Sequence, residues 1–242
     1  MNPDNFLESI NKLAEDVHDE LKEKLVAFYL FGSIIISEDF HPGISDINTF
    51  IVLSDNAENE DIKIIRQIYK KFKNIPFAIP LMLREKEIKD SSDVFPIELI
   101  EIREHNKLLR GKDVLLDLKI LKENIRHQCE MEIRAKIIGL RKMLFGIEDI
   151  RKNQAILYKS LTSTIVLLKQ TLRLKDIPIP ETRIGIIDVL EQTFDKKLVG
   201  IKNLYQLREK REKLSILNLE RLMKNYLEEL EFFSEIINEK IS

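Results

Sequence analysis

The spacing of apolar residues in the first half of the chain predicts alternating helices and strands. Apolar side chains recur every three or four positions between residues 5 and 24, which predicts an amphipathic helix over Asn5–Lys24. The run Leu25–Phe31 is apolar throughout and predicts a strand buried on both faces. After a turn-rich loop at Ser37–Ser45, the alternation of side chains along Asp46–Leu53 predicts a second strand, with Asp46 and Asn48 on the same face.

Three further elements complete the first half. Helical spacing predicts a helix over Glu58–Lys73. The apolar segment Ile75–Leu83 contains two prolines, which confine a strand to the edge of a sheet or to its ends. Phe95–Arg103 is interpreted as another strand. The order of helix, strand, strand, helix and strand predicts a small mixed sheet covered by helices.

The second half has almost no strand pattern. A turn at Arg110–Asp113 precedes it, so we expect two domains, residues 1–112 and 113–242, in an α+β chain whose second domain is an all-α helical bundle. Four helices are predicted, at Val114–Phe145, Glu148–Lys175, Glu181–Phe194 and Leu204–Ile241. The apolar positions of the last helix suit a bundle core, and the alternative is a homodimer formed through the C-terminal helices.

Composition narrows the class of protein. Of 242 residues, 44% are apolar and 33% are charged, so a folded core is expected rather than disorder. The net charge of −2 excludes a uniformly cationic coat for nucleic acid, and the basic run near residues 196–224 has no interleaved aromatic residues. That net charge conceals an asymmetry, since residues 1–112 hold 15 basic and 21 acidic side chains, and residues 113–242 hold 24 and 20.

The same counts bear on the compartment. Cys129 is the only cysteine, which excludes an intrachain disulfide and favours a reducing cytoplasm. The acidic N-terminal segment does not resemble an export signal. No apolar run reaches the roughly 20 residues that a membrane-spanning helix needs. A cytoplasmic protein without a membrane partner is expected.

Candidate chemistry is concentrated between the first two strands. A strand ending in Gly32-Ser33 leaves backbone N–H groups and a hydroxyl where phosphate oxygens can approach, so these residues are the candidate nucleotide-binding pair. Asp46 and Asn48 offer hard oxygen ligands of the kind that Mg²⁺ accepts together with substrate phosphates. The plain alternative is that Asp46 only accepts local backbone hydrogen bonds in a turn.

These residues, in the order Gly32-Ser33, a loop, Asp46-Ile47-Asn48 and an apolar strand, resemble the signature of the DNA polymerase beta superfamily of nucleotidyltransferases. Weaker similarities around Asp93–Leu99, Leu108–Asp113 and His127–Glu130 resemble prokaryotic nucleotidyltransferase-domain proteins with a helical C-terminal half, distantly like the aminoglycoside nucleotidyltransferases. The resemblance implies that Gly32 and Ser33 hold the phosphates of a nucleoside triphosphate. It also implies that Asp46 and residue 48 bind magnesium ions, Asp46 being catalytic, while an acceptor hydroxyl attacks the α-phosphate.

The sequence departs from that signature at two places. Asn48 stands where the family has a second acid, and the third strand, Phe77–Leu83, carries no Asp or Glu. Glu98 or Glu101 is the candidate replacement, and on a strand only one of them would face the site. Two functions therefore remain open: nucleotide transfer to a small-molecule or protein acceptor, including a partner toxin, and a catalytically degenerate module that binds a nucleotide or a regulatory partner.

Overall fold

The computed structural model describes residues 3–35, 46–146, 149–210 and 214–239. The chain divides into two compact units, residues 1–120 and residues 121–242. The predicted loop at Ser37–Ser45 lies outside the described residues.

A four-stranded mixed sheet forms the centre of the first unit. Its strands are β1 (Leu25–Phe31), β2 (Asn48–Leu53), β3 (Leu81–Arg84) and β4 (Asn106–Gly111), arranged in the order β3-β2-β1-β4. β1 is antiparallel to both β2 and β4, and β2 is parallel to β3. β3 lies at the edge of the sheet, as its two preceding prolines predict.

Helices cover the two faces of this sheet. On one face, α1 (Pro3–Leu21) and α2 (Asn59–Lys71) pack their apolar stripes against Phe28 and Ile51. On the other face, the short α3 (Glu85–Asp90) and α4 (Pro96–Glu104) contribute Ile88, Leu99 and Ile102 to a core with Tyr29 and Phe50. The alternation predicted along β2 is therefore real, since Phe50 and Ile51 enter opposite cores.

The interpretation of Phe95–Arg103 as a strand is wrong. This segment forms α4, which begins at Pro96, where the missing N–H of proline costs no helical hydrogen bond. Ile97, Leu99, Ile100 and Ile102 are all buried and lie on several sides of the helix, so they do not form the single apolar stripe by which a helix is recognised. The fourth strand is instead β4, which follows α4 directly.

The predicted helix Val114–Phe145 is also wrong in its first part. α5 begins at Lys122, and the preceding segment packs against the sheet of the first unit, with Leu115 and Leu118 in its core. The Tyr29 hydroxyl donates to the Asp113 carboxylate at 3.0 Å and accepts the Val114 N–H at 2.7 Å. These contacts show that residues 113–118 belong to the first unit.

All the regular secondary structure described in the second unit is helical. Its helices are α5 (Lys122–Phe145), α6 (Ile150–Leu174), α7 (Arg183–Phe194), α8 (Val199–Lys210) and α9 (Ile216–Asn238). Of the apolar residues predicted to form a bundle core, five are buried, namely Leu204, Tyr226, Leu230, Phe233 and Ile237. Leu207 and Leu214 are half-buried, and Leu217 is 73% exposed, so the prediction is wrong for Leu217. The α+β fold class, a small mixed sheet followed by a helical part, is confirmed.

The predicted helix Leu204–Ile241 is two helices in the structure, α8 and α9, which pack against each other. The backbones of the two helices approach each other closely at Gly200, since a β-carbon there would lie 2.5 Å from the backbone nitrogen of Tyr226. The buried Glu229 carboxylate accepts the N–H groups of Gly200 and Ile201 at 2.6 and 2.8 Å. Among the described residues, no helix is long and apolar enough to cross a membrane.

Candidate functional site at the end of β1

The Gly-Ser pair forms a tight turn where β1 leaves the sheet. Gly32, Ser33 and Ile34 make one 3₁₀ turn, in which the Ile35 N–H donates to the Gly32 carbonyl at 2.9 Å. Gly32 has φ +82°, a conformation that side chains with a β-carbon adopt only at a cost. Glycine is required here by the direction in which the chain must turn.

Two isoleucines at the end of the turn hold it in place. Ile34 and Ile35 pack against a cluster of buried residues from α1, β1 and the start of β2, namely Phe6, Ile10, Leu30 and Ile47. Ser33 is only half-buried. The turn is thus anchored through its isoleucines, while the serine remains open to a ligand.

Asn48 lies across the turn from Gly32. The first residue of β2, Asn48, pairs with Phe31, the last residue of β1. A β-carbon on Gly32 would lie 3.0 Å from Nδ2 of Asn48, closer than ordinary van der Waals contact. The absence of a side chain at Gly32 therefore leaves the amide of Asn48 facing the turn.

Asp46 does not belong to β2, contrary to the prediction that the strand begins there. Asp46 is exposed and precedes the strand, whereas the neighbouring Ile47 is fully buried. The Ile47 N–H donates to the Pro76 carbonyl at 2.8 Å, and the Ile47 carbonyl accepts the Ala78 N–H at 3.0 Å. These bonds fix the backbone beside Asp46 and leave its carboxylate in solvent.

One predicted phosphate donor is already used within the protein. The Gly32 N–H donates to the carbonyl of His105 at 3.3 Å, because β4 runs beside β1. The sequence does not predict β4 as a neighbour of β1, because the pattern places the strand at Phe95–Arg103, before His105. The part of the turn that can contact an anion is therefore centred on Ser33 and on the Asn48 amide.

The two glutamates expected to replace the third acid lie on a helix. Ile79, in the segment where the family has its third acid, is 93% exposed, and Glu98 and Glu101 lie on α4 instead of a strand. Residues three apart on a helix share one side, so the expectation that these two glutamates face opposite ways is also wrong. Within the described ranges, no group of three or more His, Cys, Asp or Glu side chains could hold a metal ion.

This donor set fits one magnesium ion and does not fit a pair. Mg²⁺ binds through one or two carboxylates together with phosphate oxygens and water, so Asp46 and a bound triphosphate suffice for a single ion. Two ions would need carboxylates that bridge them.

Other candidate groups serve packing within the helical unit. Burial raises the pKa of the Cys129 thiol to about 12, which makes it a packing residue rather than a nucleophile. Of the basic run, Lys202 pairs with Asp188 and Glu191 at 2.8 and 2.7 Å. Arg208 donates to the Thr162 hydroxyl at 2.7 Å.

Comparisons with known proteins identify the fold. Neither a protein-family model nor a curated protein matches the chain. The crystal structure of spectinomycin adenyltransferase AAD(9) from Enterococcus faecialis, with ATP and spectinomycin, matches with a TM-score of 0.54 at 14% identity, covering 93% of this chain and 99% of that one. This similarity shows that the chain has the fold of that adenyltransferase.

Two toxin–antitoxin crystal structures also match. One contains AMP-PNP and has a TM-score of 0.33 at 15% identity, covering 54% of this chain and 98% of that one. The other is a mutant of MntA–HpeT, with a TM-score of 0.33 at 16% identity, covering 58% of this chain and 99% of that one.

Proposed function

We propose that the chain binds a nucleoside triphosphate with one Mg²⁺ ion at the end of β1. The observation that carries this proposal is the Gly32 turn, in which a left-handed glycine exposes Ser33 and the Asn48 amide beside the carboxylate-bearing segment at Asp46. A hydroxyl and an amide are donors for phosphate oxygens, and Asp46 is a ligand for the ion. The bound ion would neutralise part of the phosphate charge.

Transfer of a nucleotidyl group to a hydroxyl acceptor is the activity that this site would carry out. The motivating observation is the full-length match to an adenyltransferase structure that holds both ATP and a second small molecule. In the proposed reaction, the acceptor oxygen forms a bond to the α-phosphorus, the bond to pyrophosphate breaks, and the acceptor proton passes to water. Loss of a general base typically lowers a rate about 10²- to 10⁴-fold, so we expect slow transfer.

Calorimetric titration tests nucleotide binding. ATP, GTP, CTP and UTP are titrated with Mg²⁺ into wild-type protein and into Asp46→Ala. We expect at least one triphosphate to bind, and Asp46→Ala to weaken that binding by about tenfold or more, because the ion loses the carboxylate proposed to bind it. Asp19→Ala, on the exposed side of α1, is the control and leaves the affinity unchanged. Equal affinity in wild type and Asp46→Ala, or no binding to either, would sink the proposed site.

A second assay separates transfer from binding alone. Triphosphates labelled at the α-phosphate are incubated with small-molecule and protein acceptors. Transfer of the label to the acceptor is measured together with release of the unlabelled pyrophosphate. Metal-dependent release that disappears in Asp46→Ala identifies a transferase. Binding without release identifies the alternative, a catalytically degenerate module that senses a nucleotide or a partner.

A further inference from the structure

Among the described residues, the Asn48 amide has no hydrogen-bond partner, and it lies at the edge of the proposed site. Within the described ranges it makes no hydrogen bond, whereas the next side chain along β2, Thr49, bonds to the Tyr69 hydroxyl at 2.6 Å. Asn48 is half-buried, and its Nδ2 atom faces the bare backbone of Gly32. A half-buried amide of this kind is free to hydrogen-bond a ligand that enters the site, and such a bond to a charged group strengthens binding about tenfold or more.

The chemistry of an amide differs from that of the carboxylate that the family has at this position. A carboxylate is acceptor-only and repels phosphate unless a cation lies between them, whereas the amide nitrogen offers two N–H donors and no charge. Beside a phosphate oxygen, the N–H groups of Asn48 form charge-assisted hydrogen bonds directly.

We propose that Asn48 binds the phosphates of the nucleotide through Nδ2 and thereby reduces the dependence of nucleotide binding on Mg²⁺. This inference rests on the proposed nucleotide site and assigns Asn48 a different role from the metal ligand expected from the sequence. Of the described residues, Asp46 is then the one ligand for the ion. Asn48 is then a phosphate-positioning residue that works with or without the metal.

The two roles for Asn48 give opposite results when magnesium is removed. As a phosphate donor, Asn48 contributes to ATP affinity in EDTA and in Mg²⁺ alike. As a metal ligand through its carbonyl oxygen, it contributes only when Mg²⁺ is present. The informative quantity is therefore the ratio of the ATP dissociation constants without and with Mg²⁺. In Asn48→Ala this ratio keeps its wild-type value if Asn48 binds phosphate, and it falls if Asn48 binds the metal.

ATP and inorganic tripolyphosphate are titrated into wild type, Asn48→Ala, Asn48→Leu and Asn48→Asp, each in EDTA and in Mg²⁺. Wild type should bind ATP in EDTA. Asn48→Ala and Asn48→Leu should weaken binding about tenfold in both conditions, because a hydrogen bond to a charged group is lost. Asn48→Asp should lose more than tenfold in EDTA and recover in Mg²⁺, so that its ratio rises about tenfold or more above that of wild type. Tripolyphosphate should follow the same order.

Controls separate this inference from the proposed function and from misfolding. Asn59→Asp adds the same charge beyond the other end of β2 and should leave the ratio unchanged. Thermal unfolding shows that each variant is folded, and Asn48→Leu keeps the side-chain volume without the donor. Retained binding with an unaltered EDTA affinity in Asn48→Ala and Asn48→Leu overturns the role of Asn48 only. No ATP binding to wild type in either condition overturns the proposed function and this inference with it.

Discussion

At the scale of single residues, two glycines show how the surroundings decide whether a side chain is tolerated. Gly32 has a positive φ, and a β-carbon there would press on Asn48. Gly139 lies within α5, and a β-carbon there would meet no atom within 4 Å. The first glycine is required by the site, and the second only weakens its helix.

Replacement of each glycine by alanine tests this contrast. We expect Gly32→Ala to lower the free energy of unfolding by about 1–2 kcal/mol, because an L-residue is strained in the left-handed region. It should also weaken nucleotide binding, since Asn48 is displaced. Gly139→Ala should raise the free energy of unfolding by about 0.5–1 kcal/mol, because alanine favours a helix over glycine. Urea unfolding measures both, and equal effects would contradict the assignment of Gly32 to a strained turn.

At the scale of elements, the start of α8 is held by two carboxylates from neighbouring helices. Glu229 of α9 accepts hydrogen bonds from two N–H groups of the first turn. Glu191 of α7 accepts a hydrogen bond from the Leu198 N–H at 2.7 Å and forms an ion pair with Lys202. Burial raises the pKa of Glu229 to about 7, outweighing the two backbone hydrogen bonds that lower it. The positive charge of Lys196 lowers the pKa of Glu229, and the negative charge of Glu191 raises it.

This pKa predicts how stability depends on pH. A carboxyl whose pKa is higher in the folded chain binds more protons when folded, so its contribution to stability falls as pH rises from about 4.5 to about 7. Between pH 5 and pH 8, wild type should lose about 2–3 kcal/mol of unfolding free energy relative to Glu229→Gln, which cannot titrate. Urea unfolding of both proteins at the two pH values measures the difference. Parallel pH profiles for wild type and Glu229→Gln would show that Glu229 is already ionised at pH 5.

At the scale of the whole molecule, each unit has its own buried core. The segment after β4 belongs to the first unit, because Leu115 and Leu118 are buried beneath the sheet and Arg103 donates to the Leu118 carbonyl at 2.7 Å. The turn at Arg110–Asp113, where the sequence suggests a boundary, therefore lies inside a packed region.

Two fragments distinguish these boundaries. We expect residues 1–120 to unfold cooperatively in urea, and residues 1–112 to be less stable by about 3 kcal/mol or more, because the fragment lacks two buried leucines. A matched pair in the full chain supports the comparison: Leu115→Ala should cost about 2–5 kcal/mol, whereas Leu116→Ala should cost little, since Leu116 is 74% exposed. Equal stability of the two fragments would contradict the packing role of the segment.

The sequence predicts the elements whose two faces differ. α1, α2 and β2 each have one apolar face, so their spacing reveals them, and β1 is recognisable as a short apolar run that ends in Gly-Ser. The pattern does not reveal α4, because its buried residues lie on several sides of the helix and form no single apolar stripe. The break between α8 and α9 was not foreseen, although the apolar spacing has a gap near residue 211.

The sequence by itself determined the α+β order, the Gly32-Ser33 and Asp46-Ile47-Asn48 residue set, and the loss of acids at 48 and along Phe77–Leu83, because these depend on residue type and local spacing. Only the tertiary structure decided that β4 runs beside β1, so that the His105 carbonyl accepts the Gly32 N–H. It also decided that Asn48 lies next to Gly32 and that Glu98 and Glu101 share a helix. Such contacts join residues distant in the chain, and their geometry is set by how the strands and helices pack together.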